Sequence, residues 1–157
     1  MEIRAYNEEY MPLARKVLGD AVDFAVVTLG IDPDKFMEMF WISGIADRFE
    51  NGNPAYVAGI NGCELVRKVL LCIGEADPEQ PDELYLDKSP EYWAGWSLAF
   101  YQWFSGRSFR RITKAVPLSG IISMYSVYHE MDPMKFLDEM DQRLSKTLNC
   151  DMEMLMD

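Results

Sequence analysis

The stretch Ser89-Pro90-Glu91-Tyr92-Trp93-Ala94-Gly95-Trp96-Ser97-Leu98-Ala99-Phe100-Tyr101-Gln102-Trp103-Phe104-Ser105-Gly106 carries no charged side chain after Glu91. A serine cap, a proline at the first helical position and a carboxylate at the second all suit the free amides of a helix start. Gly106 is a natural stop. At about 100° per residue, Trp93, Trp96, Phe100, Trp103 and Phe104 share one arc, and Ala94, Leu98 and Tyr101 occupy a second. A helix that is apolar on two sides is buried on two sides. Only Gly95 and Gln102 interrupt it, as a narrow small or polar seam. The expected fold is therefore all-α, a compact single-domain bundle of about six or seven helices around this central aromatic helix at 89–106.

Working outward, apolar residues recur at three and four from Glu8 to Leu29, the period of one helix face. Gly30 ends that helix, and Asp32-Pro33 caps and opens the next, which runs through Phe36, Met39, Phe40 and Trp41. Ser43-Gly44 interrupts it; Ile45 to Phe49 makes a short turn, and Asn51-Gly52-Asn53-Pro54 breaks it. The path to Gly62 reads as irregular. A third long helix covers Cys63 to Ile73 with Arg67 and Lys68 exposed. Residues 76–88, with Pro78 and Pro81, form an acidic connector between the halves 1–75 and 89–148, and Leu84, Tyr85 and Leu86 tack its end onto the core. Ser108 caps a helix over Phe109 to Ala115, Pro117 ends it, Ser119 caps another through His129, and Asp132-Pro133 opens the last. The Met-rich, acidic tail 149–157 is expected to fray.

A chain of 157 residues, 49% hydrophobic and 13% aromatic, suffices for one core and is too apolar for disorder. No stretch approaches the roughly 20 apolar residues that span a bilayer, and Met1 to Ala5 does not resemble a signal peptide, so a cytoplasmic location without membrane contact is expected. Cys63, Cys72 and Cys150 are an odd set without metal-knuckle spacing, read as reduced packing thiols. The net charge of -11 disfavours nucleic acid and favours a protein partner, a basic one for the acidic faces, with a homo-oligomer left open. The charge is uneven. Residues 76–91 hold six acids against Lys88, whereas residues 92–131 hold Arg107, Arg110, Arg111 and Lys114 against Glu130.

That basic island, with Gln102 and with Phe49, Asn51 and Asn53 from the turn-rich segment, is the candidate interaction surface. The island would dock an acidic partner or the chain's own acidic connector. His129, the single histidine, reads as a helix C-terminal packing or capping group, because it lacks the second histidine of the zinc-binding helix motif. The carboxylates follow no calcium-loop pattern, and no phosphate-cradling loop, nucleophile elbow or dinucleotide fingerprint occurs. No catalytic residue, cofactor or metal ligand is expected.

Two stretches resemble a family of short proteins of gut-type Firmicutes. They are Ser43-Gly44-Ile45-Ala46-Asp47-Arg48-Phe49-Glu50-Asn51-Gly52-Asn53-Pro54, and Ser89-Pro90-Glu91-Tyr92-Trp93-Ala94-Gly95-Trp96-Ser97-Leu98-Ala99 with Tyr101-Gln102-Trp103. Members of that family look like neighbours of small toxin-like genes, some similar to ADP-ribosyltransferases. The resemblance implies an antitoxin-like or accessory binding role and transfers no catalytic residue.

Three functional expectations stand in order. The first is a non-enzymatic protein-interaction module, antitoxin-like or accessory to a small toxin. The second is a regulator in which 109–115 and 119–129 form a helix-turn-helix and 107–114 meets DNA, although the second helix lacks Arg, Lys, Asn or Gln to read bases. The third, a small-molecule sensor or cryptic enzyme, requires a pocket beside Trp96, Tyr101 and His129.

Overall fold

In the computed structural model, which describes residues 4–84 and 88–156 with side chains as far as Thr147, the central helix α6 spans Pro90–Ser105. Nine further α-helices surround it: α1 (Met11–Asp23), α2 (Pro33–Ile42), α3 (Ile45–Glu50), α4 (Pro54–Val57), α5 (Gly62–Cys72), α7 (Phe109–Ala115), α8 (Leu118–Ser123), α9 (Tyr125–Tyr128) and α10 (Pro133–Met156). No strand occurs among the described residues. The all-α class and the central aromatic helix are as the sequence predicts.

The caps expected at Ser89, Asp32, Ser108 and Gly106 form. Ser89 Oγ accepts from the Tyr92 amide at 3.0 Å, Asp32 from Lys35 and Ser108 from Arg111, and Gly106 closes α6 in the left-handed region at φ 71°. Each cap stabilises its helix end by about 1 kcal/mol. The Ser89 hydroxyl also donates to Asp23 Oδ1, tying the start of α6 to the end of α1.

α1 packs along α6 more extensively than any other pair of helices touch. Their closest approach lies on the seam itself: a Cβ at Gly95 would strike the Leu18 carbonyl, and one at Gly19 would strike the Tyr92 ring. Gly95 is therefore a packing contact, required because only a glycine lets the two backbones come so near. Gln102 is also closed in, at 1% exposure. The aromatic arc is wetter than its partner: Trp96, Phe100 and Phe104 are half-buried, while Ala94, Leu98 and Tyr101 are fully buried.

The helices are more numerous than six or seven because several are cut short. Gly44, at φ 82°, separates α2 from α3. The path read as irregular contains the one-turn α4, started by Asn53 and Pro54, and Asn61 caps α5. The helix expected over 119–129 begins instead after Pro117 and divides at Met124 into α8 and α9. Ser119 does not cap it; its amide and hydroxyl both bond to Asp34 at the start of α2. α1 is led in by a 3-10 turn, Glu8–Tyr10, and prolonged by a π-helical segment, Phe24–Thr28. α10 continues through the tail to Met156 rather than stopping near 148.

One hydrophobic core runs from Ala14 to Leu144. Under α7 it is aromatic, with Phe40, Phe49 and Phe109 mutually in contact at centroid distances of 5.3 to 6.0 Å. Such pairs add about 0.5–1.5 kcal/mol each beyond area burial. Cys63 is buried, as a packing thiol should be, but Cys72 is exposed, and the Cys150 side chain lies outside the described residues.

Arg67, expected to be exposed, organises the connector. Its guanidinium donates to Asp77 and Asp82 at 2.9 and 2.8 Å and to the carbonyls of Pro78 and Gln80. Leu84 does not reach the core and is exposed, while Tyr85 and Leu86 lie outside the described residues. Among the described residues no helix is long and apolar enough to cross a membrane.

Candidate functional site

α7 is an amphipathic helix of two turns seated on the phenylalanine cluster. Phe109 and Ile112 are fully buried, which fixes the helix orientation and turns Arg110, Arg111 and Lys114 outward. Behind this ridge, Glu50 at the end of α3 accepts from the Phe109 amide at 2.9 Å. Burial raises the Glu50 carboxyl to about 7, the Phe109 amide opposes that rise, and the adjoining Asp47 carboxylate reinforces it.

The ridge has a cleft on each side. Between α7 and α10 lies an open cleft of about 500 Å³ lined by Ser108, Arg110, Arg111, Lys114, Ala115, Leu144 and Thr147. Its described lining holds three cations and no carboxylate. On the other flank, about 460 Å³ is bounded by Glu38, Trp41, Asp47 and Glu50 together with Ser108 and Arg110. The two sides differ in sign, so an anion is directed to the α10 side. Arg110 lies over the Trp41 ring at 5.5 Å, and among the described residues none of Arg110, Arg111 and Lys114 forms an ion pair.

The candidate residues thus separate. Arg110, Arg111 and Lys114 come together on one exposed surface. Arg107 turns away from them: its Nη1 donates to the Tyr101 hydroxyl and lies 3.3 Å from Asp141, which joins α6 to α10. Burial, with Asp141 alongside, pushes the Tyr101 hydroxyl pKa well above its ordinary value, so it stays protonated and bonds to Asp141 at 2.7 Å. Gln102 is no surface group; its Nε2 donates to the Arg107 carbonyl at 3.1 Å and to the Glu50 carbonyl at 3.5 Å. Phe49 is likewise fully buried, as the floor beneath Phe109.

Asn51 and Asn53 are exposed but spend their side chains on the backbone. Asn51 Nδ2 donates to the Asp47 carbonyl at 2.7 Å and Asn53 Oδ1 accepts from the Ala55 amide at 3.0 Å, so they close α3 and open α4. Segment 51–62 is held as a tight connection. The cleft-lining residues Trp41, Leu144 and Thr147 carry no sequence signal for this position, since only the packing of α2 and α10 brings them beside α7.

His129 stacks on Tyr125 with centroids 4.0 Å apart, and its Nδ1 lies 2.6 Å from the Tyr125 carbonyl, at the C-terminal end of α9. Its Nε2 faces Glu130 at 3.6 Å. Among the described residues no group of three or more His, Cys, Asp or Glu could hold a metal ion. The pair of helices read as a helix-turn-helix is α7 followed by the six-residue α8, in which Leu118 and Ile121 are buried and Ser119 is held by Asp34.

No family model matches this chain, and neither a curated protein nor a solved structure was found to match it.

Proposed function

We propose that the chain is a non-enzymatic protein-interaction module whose α7–α10 cleft receives an acidic segment of a cytosolic protein partner. The observation that carries this reading is that Arg110, Arg111 and Lys114 have no ion pair among the described residues, beside a 500 Å³ cleft whose described lining is free of carboxylates. Two arginine forks can each hold a carboxylate bidentately, and the lysine adds a point charge. The chain's own acidic connector is not the occupant, because Arg67 holds it.

A net charge of -11 repels an acidic segment at long range in the absence of salt. Screening decides otherwise: at physiological salt the Debye length is about 8 Å, so local cations outweigh distant acids. The long-range repulsion instead acts as a filter, favouring a segment whose acids are short, clustered and attached to a less acidic body.

A photo-crosslinking residue in place of Thr147, on the cleft wall, tests the reading in cells. The captured peptide is expected to be rich in Asp and Glu, and capture is expected to vanish when Arg110 and Arg111 are changed to Glu. Capture of basic or uncharged peptides, or capture indifferent to those changes, would refute it. Salt-sensitive retardation of duplex DNA that is lost in the same variant would favour the DNA-binding reading instead. The antitoxin-like form of this function, which the family resemblance implies, requires that co-expression relieve the toxicity of a neighbouring gene product.

A further inference from the structure

A second site lies along the other edge of α6. On α1, residues 15, 18, 19 and 22 form one stripe facing α6, in which Leu18, Gly19 and Val22 make the close contact with Tyr92 and Gly95. Arg15 is the charged member of that stripe. Its Nε donates to the Trp96 carbonyl at 3.2 Å, and its guanidinium carbon sits 3.2 Å from the centroid of the Trp96 ring and 4.2 Å from that of Phe100. Among the described residues it has no carboxylate partner, and its two terminal nitrogens have no protein acceptor.

A cation drawn onto apolar faces without a counter-ion is costly. Here burial lowers the Arg15 pKa to about 10, a direction opposite to that of a guanidinium held by a carboxylate. The guanidinium borders a slot of about 90 Å³ whose walls include Trp93, Trp96, Phe100, His129 and Phe136, with Met131 at the exposed rim. Glu130 faces the slot residue His129, and Glu139 is bonded to Arg143. None of the residues of the α7–α10 cleft lines this slot.

We propose that the Arg15 slot binds a small free carboxylate, the acid group on the guanidinium fork and a short hydrocarbon tail between the aromatic walls. The fork supplies parallel donors that match a carboxylate in plane and spacing. The slot is small, at about 90 Å³, which favours a short tail. With five non-hydrogen atoms at no more than about 1.5 kcal/mol each, an acid of propionate size is bounded at a Kd of about 3 μM. Such a site suits sensing of a short-chain acid.

The experiment titrates the intact chain with sodium propionate, with propionamide as the neutral isostere and sodium chloride as the ionic-strength control, and follows tryptophan fluorescence and indole N–H resonances. Saturable changes with propionate alone are expected, weakened at least about tenfold in Arg15→Met and less in Arg15→Lys. Met131→Trp, which places a larger side chain at the exposed rim and leaves Arg15 in the sequence, is expected to block the response. It decides the matter should Arg15→Met not fold. No saturation with propionate, an equal response to propionamide, or an undiminished response in folded Arg15→Met or in Met131→Trp would overturn the proposal.

Discussion

Arg67 on α5 and the Arg110, Arg111 and Lys114 ridge on α7 are both basic groups in an acidic chain, and they are used in opposite ways. Arg67 is wrapped by residues that lie ten to fifteen positions later in sequence, taking two carboxylates and two carbonyls, with its guanidinium 5.4 Å from the Phe24 ring centroid. The ridge has three cations and no ion pair among the described residues, although its own chain offers acids in excess. A cation that is satisfied internally orders the fold. One that is left unsatisfied beside a cleft is available to something else. The difference between them is what the interaction reading rests on, and it can be broken from either end.

The largest effect is expected from removing the seat of the ridge. Phe109→Ala deletes a fully buried ring in contact with Phe40 and Phe49 and should cost about 3–5 kcal/mol, measured by chemical denaturation. Gly95→Leu should be comparably damaging, because α1 must move off the Leu18 carbonyl to admit the side chain. Next comes the clamp. Arg67→Ala removes charged hydrogen bonds whose partners are largely exposed, so about 1–2 kcal/mol is expected, with faster proteolysis between Asp77 and Glu83 and no change in ligand capture by the α7–α10 cleft. Should the freed connector instead compete for that cleft, the two basic regions are interchangeable and the contrast collapses.

A further effect attaches to pH. Glu50 holds its proton more tightly in the folded chain, at about 7, than its ordinary value of 4.5. Folding therefore bears a penalty above that pKa, and the penalty disappears as pH falls through 7 toward 4.5. The denaturation midpoint should rise between about pH 8 and about pH 5, and Glu50→Gln, which keeps an acceptor for the Phe109 amide, should flatten that rise. A slope unchanged in the variant would assign it to the general excess of acids instead. The smallest effect on stability should come from the ridge itself: Arg111→Glu is expected to shift it by no more than about 0.5 kcal/mol, since Arg111 is exposed and has no ion pair among the described residues.

What was legible in the sequence was local. Asp32-Pro33, Ser89-Pro90, Ser108 and Asp132-Pro133 begin helices because a cap needs only its own next three residues, and the 89–106 pattern marks a buried helix by itself. What was not legible depends on partners distant in sequence. Gln102 and Phe49 look available until α7 closes over them, and Ser119 looks like a cap until Asp34, 85 residues away, takes both its groups. Gly95 looks like a seam until α1 fills it. Of the candidate surface, Arg110, Arg111 and Lys114 could be read from helical spacing, whereas the opposing wall at Leu144 and Thr147 comes from the packing of α10 against α7. Arg15 had a faint signal, as the charged residue in a stripe otherwise made of Leu18, Gly19 and Val22.

The most direct test of the central claim is a titration of the chain into a fluorescent peptide of clustered Asp and Glu residues, at low and at physiological salt, with the wild type and with Arg110→Glu, Arg111→Glu and Lys114→Glu combined. The account predicts saturable binding that weakens with salt and falls at least about tenfold in the variant. Equal binding by the two proteins, or none by the wild type at low salt, would contradict it.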